Sequence, residues 1–200
     1  MIEPRSWHTP NIMASLPSYW EKNTVITYMS SEEIVEQLDA LQSKPVIRMA
    51  VLLMIEAGLR RSEALWLTKD SVSAKLDYLS VVNRTDDQDI ESSLKTGARA
   101  VTILPALREE LEKYLPTIEG PWLFPSPNGK RWHKDNFSAD LRDLNGSKGL
   151  HWSALIYRHT YATRRALVDG WGGVRIAREM GNSIQMVNKY YAGFIRPDAL

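Results

Sequence analysis

The chain has 200 residues, of which 44% are hydrophobic and 24% charged, with a formal net charge of +1. These values are typical of a globular domain, and the longest apolar run, residues 49–55, is too short to span a bilayer. No basic start followed by an apolar signal core is visible, and the absence of cysteine excludes disulfides and thiolate metal sites. We therefore expect a cytoplasmic protein that holds no metal and no cofactor and contacts no membrane.

Hydrophobic residues recur at helical spacing along most of the chain. A capping box, Ser30 with Glu33, marks the start of the first helix, and Gly58 ends the second, whose almost continuous apolar character predicts a buried central position. The predicted helices span residues 29–41, 45–57, 106–115, 134–144, 152–170, 172–181 and 183–194, and residues 60–72 are predicted to form a short amphipathic helix that runs into a turn.

Two short β-branched stretches, residues 76–82 and 99–105, predict a small antiparallel sheet of two or three strands, with a turn signal at 95–97 before the second stretch. Residues 1–28 carry three prolines and no clear period, so they are predicted to form an N-terminal arm or linker. The predicted fold class is mainly α with a small antiparallel β-sheet, in a single domain over residues 29–200.

Two stretches before the middle of the chain carry polar groups suited to chemistry. Arg60 stands at a junction between helices, and Glu63 could hold it through a bidentate bond, although an ordinary surface pair has the same pattern. Lys95 lies in the predicted hairpin turn, where it is either solvated charge or a proton donor to a leaving oxygen.

Cations crowd a second region near the C-terminus. Between Arg158 and Arg178 five arginines accompany one acidic residue, Asp169, which predicts an anionic partner, although a solvated helix face could also produce it. Arg158 and His159 adjoin on a helix whose Leu155, Ala162 and Ala166 are expected to face the core; His159 could simply bond a carbonyl.

The last predicted helix carries two adjacent tyrosines, Tyr190 and Tyr191. Asn182 is expected to cap this helix, because asparagine after a glycine suits an N-cap. Neighbouring helix positions point about 100° apart, so at most one of the two tyrosines faces a given site.

Taken in order, "GLRRSE", "KTGARAVTILP", "YRHTYAT" and "MGNSIQMVNKYY" resemble the four boxes of the tyrosine recombinase (phage integrase) family over roughly residues 27–195. The resemblance implies that family's catalytic-domain fold for residues 29–200. It implies catalytic roles for Arg60, Lys95, Arg158, Asn182 and Tyr191, with support from Glu63 and His159.

The resemblance also implies a reaction. Tyr191 would attack a phosphodiester of double-stranded DNA to form a 3′-phosphotyrosyl enzyme, while Lys95 protonates the leaving 5′ oxygen. Two arginines would stabilise the transition state without a metal, in a site-specific recombinase or integrase that forms a homotetramer on DNA. The remaining arginines of the cationic stretch are candidates for the DNA backbone or for a solvated face: Arg164, Arg165, Arg175 and Arg178.

Two departures from the family pattern leave other functions open. Leu155 stands where the family usually has histidine, and Asn182 where it has histidine or tryptophan; His151 would replace the missing imidazole only if the local backbone ran differently. The main alternative is therefore a catalytically impaired DNA-binding regulator with the recombinase fold. A topoisomerase-like nicking and closing enzyme and a helical interaction domain are further alternatives. The 28 residues before the domain suit either a short member or a separated catalytic domain.

Overall fold

A computed structural model of the chain describes residues 25–196. The predicted class is confirmed, because the described residues form helices and one two-stranded antiparallel sheet. The elements are α1 (Ser31–Ala40), α2 (Pro45–Ala57), α3 (Arg61–Ala64), β1 (Tyr78–Val81), β2 (Arg99–Thr102), α4 (Pro105–Tyr114), α5 (Lys134–Ser147), α6 (Ala154–Leu167), α7 (Gly173–Met180) and α8 (Ile184–Tyr191). Except for its last four residues, the arm predicted for residues 1–28 lies outside the described residues.

The predicted start of the first helix and the predicted end of the second are confirmed. The Ser30 hydroxyl accepts from the Glu33 N–H at 3.2 Å, and the Glu33 carboxylate accepts from the Ser30 N–H at 2.7 Å. Gly58 ends α2 in the left-handed conformation, with φ of 62°. A Cβ on Gly58 would lie 2.3 Å from the ring of Tyr161, so glycine also permits the close approach of α6 to α2.

The short helix predicted to run into a turn over residues 60–72 is present as α3 and a 3₁₀ turn at Lys69–Ser71. One predicted strand is shorter than expected. The predicted strand over 99–105 stops at Thr102, because Pro105 begins α4 and its fixed φ suits the first turn of a helix. The two strands pair in register from Tyr78 opposite Thr102 to Val81 opposite Arg99.

The core consists of two hydrophobic clusters that meet along α6. The larger cluster is built around α2, which is buried along most of its length, and includes Tyr157 of α6. The smaller cluster joins α7 and α8 to Tyr161, Ala162 and Ala166 of α6. One helix therefore positions its side chains against both halves of the fold.

The prediction that Leu155 faces the core is wrong, since its side chain is 64% exposed. Leu155 shares a helix face with the buried Ala162, seven residues further on. It lies in the first turn of α6, however, where the helix borders an open cavity instead of a neighbouring element.

Among residues 25–196, no helix is both long and apolar enough to cross a bilayer.

A buried ion cluster joins the end of α2 to α6. Glu56, near the end of the mostly apolar α2, bonds Arg165 and accepts from Arg164 at 2.9 Å. Arg165 is itself only 4% exposed, and it also pairs with Asp169 at 2.5 Å. Two of the crowded arginines therefore neutralise a carboxylate that α2 carries into the interior.

We expect Glu56→Gln to lower the free energy of unfolding by about 3 kcal/mol, because it leaves the buried guanidinium of Arg165 short of a counter-charge. Urea denaturation would measure the loss. The matched control is Glu110→Gln, which removes a half-exposed partner of Arg48 and should cost less than about 1 kcal/mol. Equal small losses in the two variants would contradict a structural role for the Glu56 cluster.

Candidate active site

Arg60 is held at the junction before α3 by three partner residues. Its Nη1 donates to Glu63 Oε1 at 2.9 Å, and its backbone N–H donates to Glu63 Oε2 at 2.9 Å. Its Nη2 donates to the carbonyl of Gly181 and to Asn182 Oδ1, each at 2.9 Å. Arg60 and Glu63 are therefore paired, but the prediction of a bidentate bond between them is wrong, because the guanidinium gives Glu63 one hydrogen bond and the backbone N–H gives the other. The rest of the guanidinium reaches the end of α7.

Sequence reasoning missed Arg99, which shares the carboxylate of Glu63. Its Nη1 and Nη2 donate to the two carboxylate oxygens at 3.1 and 2.8 Å, and its Nε donates to the carbonyl of Glu179 at 3.0 Å. Strand alternation was the available signal, because Arg99 alternates with Val101 of β2 and with Ile103 just after it, both of which are buried. A buried guanidinium needs hydrogen-bond acceptors or a counter-charge, and Glu63 supplies both to Arg99.

Glu63 is 5% exposed and accepts bonds from two arginines. Burial alone would raise the pKa of its carboxyl group, but the hydrogen bonds and charges of Arg99 and Arg60 outweigh burial and lower the pKa below its ordinary value. The carboxylate is therefore ionised at neutral pH and fixes both guanidinium planes.

Arg158 reaches the C-terminal ends of two helices from α6. Its Nη1 donates to the carbonyl of Gly58 after α2, and its Nη2 donates to the carbonyl of Met180, at the end of α7, at 2.8 Å. The last carbonyls of a helix lack partners within the helix and form the negative end of its dipole, so a cation is favoured there. Burial and the charge of Arg60 lower the pKa of Arg158 to about 10, which leaves it protonated at neutral pH.

Asn182 joins the two predicted catalytic arginines. Its Oδ1 accepts from Nη2 of Arg60 and from Nη2 of Arg158, each at 2.9 Å. The expectation that Asn182 caps α8 is wrong, because the N-cap is Ser183, whose hydroxyl accepts from the Met186 N–H at 3.2 Å. A single amide oxygen thus brings guanidiniums from distant parts of the chain into one site.

Tyr191 adjoins this cluster from the last turn of α8 and is 3% exposed. Its hydroxyl lies 2.6 Å from Nδ1 of His159, the residue that follows Arg158. Burial raises the pKa of Tyr191 to about 12, although the charge of Arg158 acts in the opposite direction. The neighbouring Tyr190 is only half-buried, and its ring centroid is 6.4 Å from that of Tyr191.

Lys95 lies exposed in a turn of the connection between β1 and β2. The next residue, Thr96, packs against Gly181, since a Cβ on that glycine would be 2.7 Å from the Thr96 hydroxyl. The turn therefore lies beside the peptide that precedes Asn182. The connection is tethered further back by Asp86, which accepts from Arg131 at 2.7 Å.

An open cavity of about 780 Å³ lies beside Arg60 and Arg158, and two further arginines and an imidazole are among the side chains that line it. Among its lining residues are Arg61, Arg142 and His151. His151 stacks on Trp152 just before α6, with ring centroids 5.0 Å apart. The arrangement can receive an anionic group next to the two arginines.

The other arginines of the cationic stretch fall into two groups. Arg164 and Arg165 point to Glu56, and Arg165 is buried. Arg175 and Arg178 are exposed on α7, and the Arg175 guanidinium lies 3.6 Å from the ring centroid of Trp171. Within residues 25–196 no group of three or more His, Cys, Asp or Glu side chains is placed to hold a metal ion.

The sequence profile of the phage integrase family matches residues 26–194, which is most of the chain. No curated protein sequence is significantly similar to this one. The predicted family and its catalytic-domain fold are confirmed by this match and by the solved structures that the fold resembles.

Three of those structures indicate the extent of the likeness. The XerA recombinase is 20% identical, with a TM-score of 0.69 over 90% of this chain and 62% of its own. The Tn1549 transposon integrase, solved with transposon right-end DNA, is 18% identical, with a TM-score of 0.71 over 92% of this chain and 66% of its own. A lambda integrase dimer bound to a core site is 14% identical, with a TM-score of 0.58 over 85% of this chain and 49% of its own. The chain thus spans less than two thirds of their length, and such low identities establish the fold alone.

We expect Gly181→Ala to destabilise the protein more than Gly170→Ala does. Both glycines adopt positive φ, 64° and 65°, so both variants share a backbone cost of about 1–2 kcal/mol. Only at position 181 does a Cβ meet neighbours, namely Thr96 and the Arg99 guanidinium, whereas position 170 is open. Equal unfolding midpoints in urea would show that the turn carrying Thr96 does not pack against Gly181.

Proposed function

Because the chain belongs to the phage integrase family, we propose that it is a site-specific recombinase that cleaves and rejoins double-stranded DNA through a phosphotyrosine on Tyr191. The observation that carries the proposal is that Arg60 and Arg158 each donate a hydrogen bond to the same atom, Asn182 Oδ1. Two guanidiniums that meet at one acceptor atom, beside an open cavity and close to a phenol, suit a phosphodiester.

The proposed chemistry uses charge already in place. As the phenol oxygen of Tyr191 bonds to phosphorus, negative charge develops on the non-bridging oxygens, and fixed guanidiniums stabilise it without reorganising. Glu63 and the helix-end carbonyls hold Arg60 and Arg158 before DNA binds. The arginines supply the electrostatic stabilisation, so we propose a reaction that requires no metal.

Lys95 is the proposed donor to the leaving 5′ oxygen. Its turn packs against Gly181 through Thr96, which supports a position at the edge of the arginine cluster. An exposed lysine next to a phosphate keeps its proton available for a departing alkoxide. Closure of the turn over bound DNA would complete the site.

We propose that DNA extends from the cavity over exposed cations. Arg175 and Arg178 on α7 are suited to backbone contacts because their side chains reach solvent. Arg164 and Arg165 are less suited, since Glu56 already neutralises them. Each phosphate contact should add about −0.9 to the slope of log affinity against log salt. Assembly as a homotetramer on DNA stays a prediction.

A DNA-binding regulator without cleavage activity is the second candidate. One observation favours it: Leu155, at the position where the family usually has histidine, presents an exposed apolar side chain to the cavity. Such a protein would bind DNA through the same cations and form no covalent adduct. The following experiment separates the two functions.

We expect Tyr191→Phe to abolish a covalent protein–DNA adduct on nicked duplexes drawn from the DNA that flanks the gene, because phenylalanine has no oxygen to esterify. DNA binding, followed by gel shift, should be unchanged. The matched control is Tyr190→Phe, which should retain the adduct on denaturing gels. An adduct that survives Tyr191→Phe and disappears in Tyr190→Phe would show that Tyr190, and not Tyr191, is the nucleophile. DNA binding by the wild-type protein without any adduct would favour the regulator.

Asn182→Asp should reduce cleavage by about 100-fold or more. A carboxylate at this position would pair with Arg60 and Arg158 and compete with the phosphate for both. The control is Asn188→Asp, which makes the same change at an exposed position of α8 and should leave cleavage close to wild type. Similar rates for the two variants in single-turnover cleavage would refute the role of Asn182 as the acceptor between the arginines.

A further inference from the structure

The hydroxyl of Tyr191 has one close polar neighbour that the phosphate chemistry above does not use. Nδ1 of His159 lies 2.6 Å from it, and the two rings are tilted by 54° with centroids 5.8 Å apart. His159 is half-buried on α6, and Tyr191 is buried on α8, so packing of these helices fixes the contact. The distance is that of a strong hydrogen bond.

Building on the proposed function, we propose that His159 is the general base that takes the phenol proton as Tyr191 attacks the phosphodiester. In strand cleavage the Oη–H bond breaks, the proton passes to Nδ1, and Oη bonds to phosphorus. The bond from phosphorus to the 5′ oxygen breaks, and that oxygen takes a proton from Lys95. Rejoining reverses each step, so the imidazolium returns its proton to the departing phenolate.

The phenol needs such a base because it holds its proton firmly. Burial raises the pKa of Tyr191 to about 12, so only a minute fraction is ionised at neutral pH. Removing the proton during the attack, instead of before it, avoids formation of a free phenolate. General-base assistance of this kind typically accelerates a reaction by about 10²–10⁴-fold.

The imidazole is in the right state to accept. Burial and the charge of Arg158 lower the pKa of His159 below its ordinary value, so the ring is neutral at pH 7 and Nδ1 can receive the phenol hydrogen. The acceptor tautomer carries its own hydrogen on Nε2.

The charges on the elements around His159 maintain this state. Arg158 precedes it on α6, and Tyr190 and Tyr191 belong to α8. The other helices that pack on α6 direct their charged groups away from His159. Glu56 of α2 bonds Arg164 and Arg165, and Glu179 of α7 bonds Thr102. Arg175 and Arg178 of α7 are exposed to solvent. The turn at residues 192–194 has no titratable side chain. The one charged side chain that shifts the imidazole is thus a cation, which keeps it unprotonated.

The same bond has a second physical reading that predicts the opposite result. If it only held Tyr191 in a retracted position, its loss would release the nucleophile and speed cleavage. A general base, when lost, slows cleavage and changes its dependence on pH. The experiment therefore measures rate and pH profile together.

The test is single-turnover adduct formation on the nicked duplexes between pH 5 and pH 9, for wild type, His159→Asn and the control His133→Asn. Asparagine can accept the phenol hydrogen bond but cannot take up the proton. His133 is exposed at the start of α5, outside the cavity and the arginine cluster.

We expect His159→Asn to cleave about 100-fold more slowly at pH 7, with a rate that rises about tenfold per pH unit as hydroxide replaces the missing base. Wild type and His133→Asn should instead lose activity only as the pH falls through the lowered pKa of His159, and level off above it.

Three results would overturn the proposal. One is a His159→Asn profile parallel to wild type, which indicates a purely structural role, and another is faster cleavage, which indicates the retracting contact. The third is a wild-type rate that does not fall at low pH, a readout that holds even where the variant fails to fold. Absence of any adduct with wild-type protein would instead overturn the proposed function, and this proposal with it.

Discussion

Two helix ends meet at a cluster of guanidinium groups, and the site depends on that meeting. Arg158 donates to the carbonyl of Gly58, which follows α2, and to that of Met180 at the end of α7, while Arg60 donates to the carbonyl of Gly181. These carbonyls have no partner within their helices, so cations satisfy them and offset the negative ends of the dipoles. Two like charges 4 Å apart repel by about 4 kcal/mol at an effective dielectric constant of 20. The carbonyls at the helix ends help to compensate for this repulsion between the clustered guanidinium groups.

Because the same groups serve the fold and the proposed chemistry, stability and function are coupled here. Glu63 is the one carboxylate that Arg60 and Arg99 share, and Arg99 also bonds the carbonyl of Glu179. Removing either arginine would leave the buried carboxylate short of charge and a helix end short of a donor. The arginines of the proposed phosphate site are thereby held in place before any phosphate arrives, which is the condition for electrostatic preorganisation.

The sequence was sufficient to predict most of the fold and several partners in the site. The order of four motifs indicated the family, and helix caps and hydrophobic periods predicted most elements. The contact between Arg60 and Glu63 followed from a three-residue spacing. Arg99 was missed because the strand carrying it was read for its hydrophobic residues alone, although alternation placed the arginine on the buried face.

Other features required three-dimensional coordinates. The acceptor role of Asn182 depends on where α7 ends relative to α6, which no local pattern encodes. Leu155 has the spacing of a core residue, but no neighbouring element covers the first turn of its helix. Long-range packing decides both, whereas periodicity reports only which residues share a face.

The crowding of arginine in α6 has two separate causes. Arg164 and Arg165 are there because α2 carries Glu56 into the interior, and Arg165 remains buried with it. Arg158 is there because two helix ends and Asn182 supply only neutral acceptors, which bind the guanidinium without cancelling its charge. Within α6, positive charge therefore persists at Arg158, which no carboxylate faces directly. That difference, and not the number of cations on the helix, distinguishes the proposed phosphate-binding arginine from those already neutralised within the fold.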